Sequence, residues 1–333
     1  MSDYLWDRSG PVDPVIVDLE SRLAPLAFDT AARPLVVSAP HSVREQRSPS
    51  NARRMLRWTA AAVAACALVT TGVVLWHTRR LDWQPSRPWT VQGGGQWPVG
   101  ATLPVAGNDV RVDVARLGVL SARPGAALTL EATGPQKHWL RLTRGSIDVR
   151  LWAPPGRVAL HTPAGDVIDL GCTFALDVDD AGAAQLSVRT GWVNLQNDHG
   201  NSFVPAGASS RMTAERAPLV PLYDDATPDF RAAVRVLEGA PSTAIEADLH
   251  VVSGAARPRD ALTLLMLSRV DGLPVDARAR LLARAAVLQP PPSPDTVARV
   301  LAGDTEAFWA WYDALPLPSL KNWWRNWRDA FPR

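Results

Sequence analysis

The sequence predicts a mixed, multi-domain chain: a single transmembrane helix, a mainly-β domain of the sandwich or β-roll type, and an all-α C-terminal domain of helical hairpins. Three observations predict this architecture. An uncharged apolar run covers 58–76, alternation with a period of two prevails from 88 to 216, and helical periodicity begins near 228. The predicted segments are a cytoplasmic segment at 1–43, an arginine-rich juxtamembrane linker at 44–57, the transmembrane helix at 58–76, a linker at 77–87, the β domain at 88–216 and the α-helical domain at 228–333.

The composition excludes several classes of protein. The chain has 333 residues, with 35 Lys and Arg against 33 Asp and Glu, which is too balanced for a dedicated nucleic-acid binder or an acidic scaffold. We expect no direct nucleic-acid partner. Its two cysteines cannot form a disulfide framework or a four-cysteine zinc site. Because Cys66 and Cys172 lie in different predicted segments, we expect both to be free, buried thiols.

The run at 58–76 has the length and the flanks of a membrane span. Its nineteen residues contain no charge, and as a helix they would extend about 28 Å, close to the hydrocarbon thickness of a bilayer. Arginines are more numerous on the N-terminal side, which predicts a single pass through the membrane with the N-terminus in the cytoplasm and the C-terminal domains outside. The alternative is a buried helix of a soluble domain. The predicted membrane-interface residues are Arg53, Arg54, Arg57, Trp58 and Trp76.

The cytoplasmic segment is acidic, with six acids and three arginines in 1–43. Asp13 and Pro14 are typical of a helix start, and apolar residues follow at helical spacing. A lone amphipathic helix cannot bury its apolar face by itself, so we expect either a docking segment that folds onto a partner or a tail that stays disordered. The candidate partner-binding residues are Tyr4, Leu5, Trp6, Ile16, Leu19, Leu23 and Leu26.

The β region contains short alternating runs separated by turn signals at about ten-residue spacing. One run alternates Val110, Val112 and Val114, and turns are indicated at Arg123-Pro124-Gly125 and Ala181-Gly182. This pattern is typical of an antiparallel sandwich, barrel or β-roll.

An ordered series of motifs in this region resembles the FecR domain family. The series consists of Leu142-Thr143-Arg144-Gly145, Thr162-Pro163-Ala164-Gly165, Asp169-Leu170-Gly171-Cys172-Thr173-Phe174, Val188-Arg189-Thr190-Gly191-Trp192-Val193 and Val204-Pro205-Ala206-Gly207. Cys172 departs from the usual Gly-Thr pair, a form similar to a FecR subgroup of environmental bacteria that has a helical C-terminal region. The structural residues of the resemblance are Gly145, Thr162, Pro163, Gly165, Gly171, Cys172, Thr173, Phe174, Gly191, Trp192 and Gly207.

The resemblance implies a bitopic inner-membrane regulator of an extracytoplasmic-function sigma factor. In that family the short cytoplasmic N-terminus contacts the sigma factor, so that the family member acts as an anti-sigma factor. The periplasmic domain receives a signal. The implied partners are therefore the sigma factor inside, an unknown periplasmic partner or ligand outside, and the lipid bilayer. An anchored periplasmic binding or scaffold protein without a transcriptional role is the alternative.

The C-terminal region carries helix-start signals, among them Thr227-Pro228 and Asp304, and predicts five or six short helices. Five tryptophans fall in the last 25 residues, at 309, 311, 323, 324 and 327, either as packing within the protein or as an interface. This helical region departs from the receptor-contacting module of well-studied FecR proteins, so no iron-siderophore receptor is carried over as a partner.

No motif in the sequence indicates catalysis. The six histidines are scattered, and the sequence has no nucleophile elbow, phosphate-binding loop or dinucleotide-binding fingerprint. Asp177, Asp179 and Asp180 could hold calcium but favour a solvated turn. We therefore expect no enzyme, no cofactor and no metal; a membrane-anchored hydrolase is a third, weaker alternative.

Overall fold

The computed structural model describes residues 14–23, 68, 70–72, 81–239 and 245–317. The chain divides into two compact units, Met1–Cys66 and Ala67–Arg333. In the first unit, the described part is one helix, α1, at Pro14–Leu23. In the second unit, a mostly-β domain is followed by helices, as the sequence predicts.

The β domain contains 14 strands among the described residues. They are β1 Trp89–Val91, β2 Gln96–Trp97, β3 Val110–Val114, β4 Gly118–Ala122, β5 Ala127–Ala132, β6 His138–Leu151, β7 Val158–Thr162, β8 Gly165–Asp169, β9 Thr173–Val178, β10 Ala184–Thr190, β11 Trp192–Asn197, β12 Gly200–Pro205, β13 Ala208–Met212 and β14 Leu222–Tyr223. All neighbouring strands are antiparallel except β6 and β7. The alternating valines predicted as a strand form β3.

The long strand β6 belongs to two sheets. Its second half pairs with β4 and β9 in a first sheet of order β2-β1-β3-β4-β6-β9-β10-β13-β14. Its first half pairs with β5 and β7 in a second sheet of order β5-β6-β7-β8-β11-β12. The change of sheet occurs at Gly145, whose φ is +87°. A Cβ at this position would lie 2.6 Å from the Cα of Ala126, so only glycine fits the bend.

Among the described residues 228–239 and 245–317, six α-helices follow the β domain. They are α2 Pro228–Glu238, α3 Ile245–Ala255, α4 Ala261–Leu267, α5 Val275–Leu288, α6 Thr296–Leu301 and α7 Thr305–Ala314, with a 3-10 turn at Pro258–Asp260. Two predicted starts are confirmed as N-caps: Thr227 accepts the N–H of Phe230, and Asp304 accepts the N–H of Ala307. Buried side chains of both sheets and of these helices form one continuous hydrophobic cluster from Trp83 to Leu315.

The predicted transmembrane segment falls almost wholly outside the described residues. Residues 68 and 70–72 are described and helical, whereas Arg53, Arg54, Arg57, Trp58 and Trp76 lie outside. Within the described part of the chain, no helix has both the length and the apolar character needed to cross a bilayer.

The bend in β6 gives a test of the two-sheet arrangement. We expect Gly145→Ala to lower the free energy of unfolding by about 3 kcal/mol, since left-handed strain adds to a backbone clash. Gly156→Ala is the matched control, because Gly156 has a φ of +77° but open space around its missing Cβ. The control should lose only about 1 kcal/mol. Equal losses in denaturant titrations of the two variants would contradict the close contact at Ala126.

Candidate functional site

Helix α1 carries the described part of the predicted partner-binding segment. It begins at Pro14, as predicted, and contains Ile16, Leu19 and Leu23. The side chains of Val17 and Leu23 are about half exposed, 48% and 51%. Asp18 and Arg22 form an ion pair of 3.0 Å one turn apart. Of the other candidate residues, Tyr4, Leu5, Trp6 and Leu26 lie outside the described residues.

The motif residues of the β domain mark the points at which the chain changes sheet. Gly171 lies between β8 of the second sheet and β9 of the first, Gly191 between β10 and β11, and Gly207 between β12 and β13. All three have positive φ, from +74° to +88°, which glycine adopts without strain. The motifs therefore specify the crossings that build the two-sheet domain.

The Thr-Pro-Ala-Gly motif instead forms the hairpin turn between β7 and β8. Thr162 Oγ1 donates to the carbonyl oxygen of Gly165 at 2.8 Å, and Pro163 lies at the centre of the turn. Gly165 has a φ of +138°, and a Cβ there would lie 2.5 Å from the carbonyl oxygen of Gln196. This glycine lets the turn approach the backbone of β11.

The crossing at Gly171 buries a thiol and a carboxyl group together. The Cys172 thiol donates to Oδ1 of Asp169, and both side chains have no solvent exposure. Asp169 ends β8, while Thr173 and the fully buried Phe174 begin β9. Cys172 is a free, buried thiol, as predicted; Cys66 lies outside the described residues.

Burial governs the ionisation of this pair. It raises the pKa of Asp169 from 3.8 to about 7, against the opposing effect of hydrogen bonds from Cys172 and the backbone. Burial and the adjacent carboxyl group also raise the pKa of Cys172 well above its usual range. The thiol stays protonated and can remain a donor, whereas Oδ2 of Asp169 has no hydrogen-bond partner among the described residues. Because a thiolate is needed for cysteine nucleophilicity, this site does not favour thiol chemistry.

An aromatic cluster joins the β domain to the helices. Phe203 of β12 meets Trp309 of α7 edge-to-face at 5.9 Å, and the motif residue Trp192 lies 6.3 Å from Tyr312. The guanidinium group of Arg269 lies over the ring of Phe308 at 4.5 Å. Of the C-terminal tryptophans, 309 and 311 therefore pack within the protein, and those at 323, 324 and 327 lie outside the described residues.

Polar contacts join the same two parts of the chain. Thr263 Oγ1 donates to the carbonyl oxygen of Pro221 at 2.7 Å, and Asp225 forms ion pairs with Arg257 at 3.0 Å and Arg259 at 2.8 Å. Arg259 also lies beside the last motif turn, since a Cβ on Gly207 would be 3.4 Å from its guanidinium. The final motif thus contributes both to a sheet crossing and to the junction.

A cleft of about 460 Å³ opens at this junction. Its walls come from the β11–β12 turn, the segment before β14, the end of α2 and the turn after α4. The volume falls within the range of small-molecule sites. The polar side chains on its walls are His199, Asn201, Arg216, Glu238, Arg269 and Asp271. The sequence did not single out this set, because its members are separated by up to 72 positions and share no motif.

Metal ligands do not gather in the described part of the chain. No group of three His, Cys, Asp or Glu side chains there could hold an ion. In the Asp177–Asp180 turn, Asp179 accepts the N–H of Ala183 and pairs with Arg211 at 2.8 Å, while Asp177 accepts from Ser146.

The buried carboxyl of Asp169 predicts a pH-dependent stability. Below pH 3.8 the group is protonated in both the folded and unfolded states; as pH rises towards 7, only the folded state keeps its proton, so stability falls. We expect the wild type to lose about 4 kcal/mol more than Asp169→Asn across this range, with no further difference above it.

Denaturant titrations at several pH values measure this difference. Asp180→Asn, at an exposed position in the turn after β9, is the control and should behave as the wild type. If the unfolding free energies of the wild type and Asp169→Asn changed in parallel with pH, the burial of the Asp169 carboxyl group without a countercharge would be contradicted.

The aromatic junction predicts an energetic coupling between the β domain and the helices. In a double-mutant cycle, Phe203→Ala and Trp309→Ala should interact by about 1 kcal/mol, typical of an edge-to-face pair. A cycle of Phe203→Ala with Trp97→Phe, on β2 at the far end of the first sheet, should give additive losses. Additivity in both cycles, measured by chemical denaturation, would argue against the contact.

Comparisons with known proteins find similarity to solved structures only. No protein-family model matches the chain, and no curated protein matches it. Two crystal structures described as a candidate anti-sigma factor from Parabacteroides distasonis are similar over part of it. The first, at 1.65 Å, is 18% identical with a TM-score of 0.32 and covers 40% of this chain; this chain spans 63% of that one's length. The second, at 2.50 Å, is 17% identical with a TM-score of 0.32. It covers 45% of this chain, and this chain spans 73% of its length. Scores this low do not establish a shared fold, and the FecR resemblance stays a prediction.

Proposed function

We propose that this protein is a single-pass inner-membrane regulator of an extracytoplasmic-function sigma factor. In this proposal the residues after the membrane helix form a periplasmic signalling domain, and the cytoplasmic segment binds the sigma factor. The observation that carries it is the ordered series of FecR-like motifs. Four of the five fall where the chain changes sheet, so they act together as the framework of one domain.

Helix α1 supports the cytoplasmic half of the proposal. On this helix of ten residues, Ile16, Leu19 and Leu23 recur at the i, i+3, i+7 spacing of one helix face, and the side chain of Leu23 is about half exposed. A helix this short gains little stability from its own hydrogen bonds, so a partner that covers its apolar face would stabilise it. A helix that binds in a groove of a partner uses apolar residues at such spacings.

The charge and hydropathy pattern supports the topology. The uncharged run at 58–76 follows an arginine-rich stretch, which favours a cytoplasmic N-terminus. The signal would pass from the periplasmic domain through this helix to residues 3–28. Binding, rather than catalysis, carries this mechanism, in agreement with the absence of catalytic motifs from the sequence.

The direct test is copurification of the full chain, in detergent, with each extracytoplasmic-function sigma factor of the source genome. We expect one sigma factor to be retained, and Leu23→Asp to weaken retention at least about 10-fold by placing a charge in the apolar contact. Ser21→Asp is the matched control, since it adds the same charge on the exposed, opposite side of α1. Retention of none of them by the wild type would refute the anti-sigma role.

The junction cleft favours one other function, that of a membrane-anchored binding protein without a transcriptional role. Removal of residues 1–43 separates the two. If the protein is a regulator, the truncated chain loses control of transcription although its periplasmic domain is intact. If it is only a binding protein, the truncation leaves transcription unchanged.

A further inference from the structure

Glu238 lies at the junction between the β domain and the helices and connects the two through a hydrogen bond. It is the last residue of α2, and it lies on the wall of the cleft. Its Oε1 accepts the backbone N–H of Val220 at 2.5 Å, and Val220 belongs to the segment between β13 and β14. One side-chain hydrogen bond therefore connects the end of a helix to the backbone of the β domain.

The second oxygen of this carboxyl group is not stabilised in the same way. Oε2 is buried and has no hydrogen-bond partner among the described residues, and Glu238 forms no ion pair there. A buried carboxylate without a countercharge is destabilising, whereas a protonated carboxylic acid in the same place is tolerated. Burial accordingly raises the pKa of Glu238 from 4.5 to about 7, against the opposing effects of the Val220 N–H, Arg216 and Arg235.

Charged and titratable groups face Glu238 from each neighbouring part of the chain. On the β side these are His199 in the β11–β12 turn and Arg216 after β13; on the helical side they are Arg235 of α2 and, after α4, Arg269 and Asp271. Neither Arg216 nor Arg269 forms an ion pair within the described residues, and neither neutralises the buried oxygen by direct contact.

We propose that Glu238 is a proton-operated latch, which holds the β domain against the helices when protonated and releases the junction when deprotonated. Ionisation leaves a negative charge with one oxygen unpartnered in a buried site. Opening of the cleft brings water to that oxygen, so the open form is favoured once the proton is lost. The latch consists of Glu238, the backbone of Val220 and the walls of the cleft, and it goes beyond the proposed function because it holds whether or not a sigma factor binds.

The direction of the pH effect follows from linkage. Below pH 4.5 the carboxyl is protonated in the closed and open forms alike, so the opening equilibrium is constant. Between pH 4.5 and about 7 only the closed form keeps the proton, and the opening constant rises with pH. The total increase is on the order of 100-fold, and the constant levels off above that range.

Hydrogen–deuterium exchange of the full chain in detergent micelles, corrected for intrinsic rates, tests the latch. In the wild type, peptides that cover 213–220 and the end of α2 should lose protection between pH 5 and pH 8. Glu238→Gln keeps the acceptor for the Val220 N–H without the charge, and should keep high protection at every pH. Glu246→Gln, an exposed carboxyl paired with Arg280, is the matched control and should leave the wild-type response unchanged.

Two further variants separate the latch from other titrating groups. His199→Gln should retain the response; its loss would assign the switch to the histidine and overturn the proposal. Asp169→Asn should also retain it at the junction. If Glu238→Gln fails to fold, the Asp169→Asn chain decides, because it lacks the global pH effect of Asp169. In that chain, loss confined to the junction peptides supports the latch, and uniform loss that includes β9 and β10 overturns it. A pH-independent junction overturns it as well.

Discussion

The contact between the β11–β12 hairpin and helix α7 is the interaction on which the rest of the structure depends. Phe203 and Trp192 on the hairpin pack against Trp309 and Tyr312 on α7, which is the last helix of the described chain. Because α7 is the last helix of the described chain, this contact brings the end of the helical region onto the second sheet. The buried residues then form one continuous cluster instead of two separate cores.

The motif glycines provide the other constraint, since a domain of two sheets that share β6 requires the chain to cross repeatedly. Gly145, Gly171, Gly191 and Gly207 each stand at such a crossing with a positive φ. Two of the crossings also build the site: Gly171 brings Cys172 onto Asp169, and Gly207 lies beside Arg259 at the junction. The residues that carry the resemblance are therefore framework residues, and the groups with unusual chemistry lie next to them.

Local patterns in the sequence predicted what local physics determines. The alternating valines correctly predicted β3, and Thr227 and Asp304 correctly predicted helix N-caps. Both predictions hold because strand preferences and caps act within a few residues. Side-chain contacts that depend on how the strands cross could not be predicted. Cys172 was expected to be a free, buried thiol, and only the fold shows its hydrogen bond to Asp169. Likewise, no local pattern distinguishes Glu238 in the sequence, because its hydrogen bond to Val220 and its place on the cleft wall depend on the fold.

The central claim is that the β domain and the helices form a single cooperative unit. Denaturant-dependent hydrogen exchange of the full chain at pH 5, where the junction is closed, tests it most directly when β9–β10 peptides and α4–α5 peptides are followed separately. The structure predicts the same unfolding free energy and denaturant slope for both sets, because one continuous core connects them. Distinct free energies, with the helices opening while the strands stay protected, would contradict it.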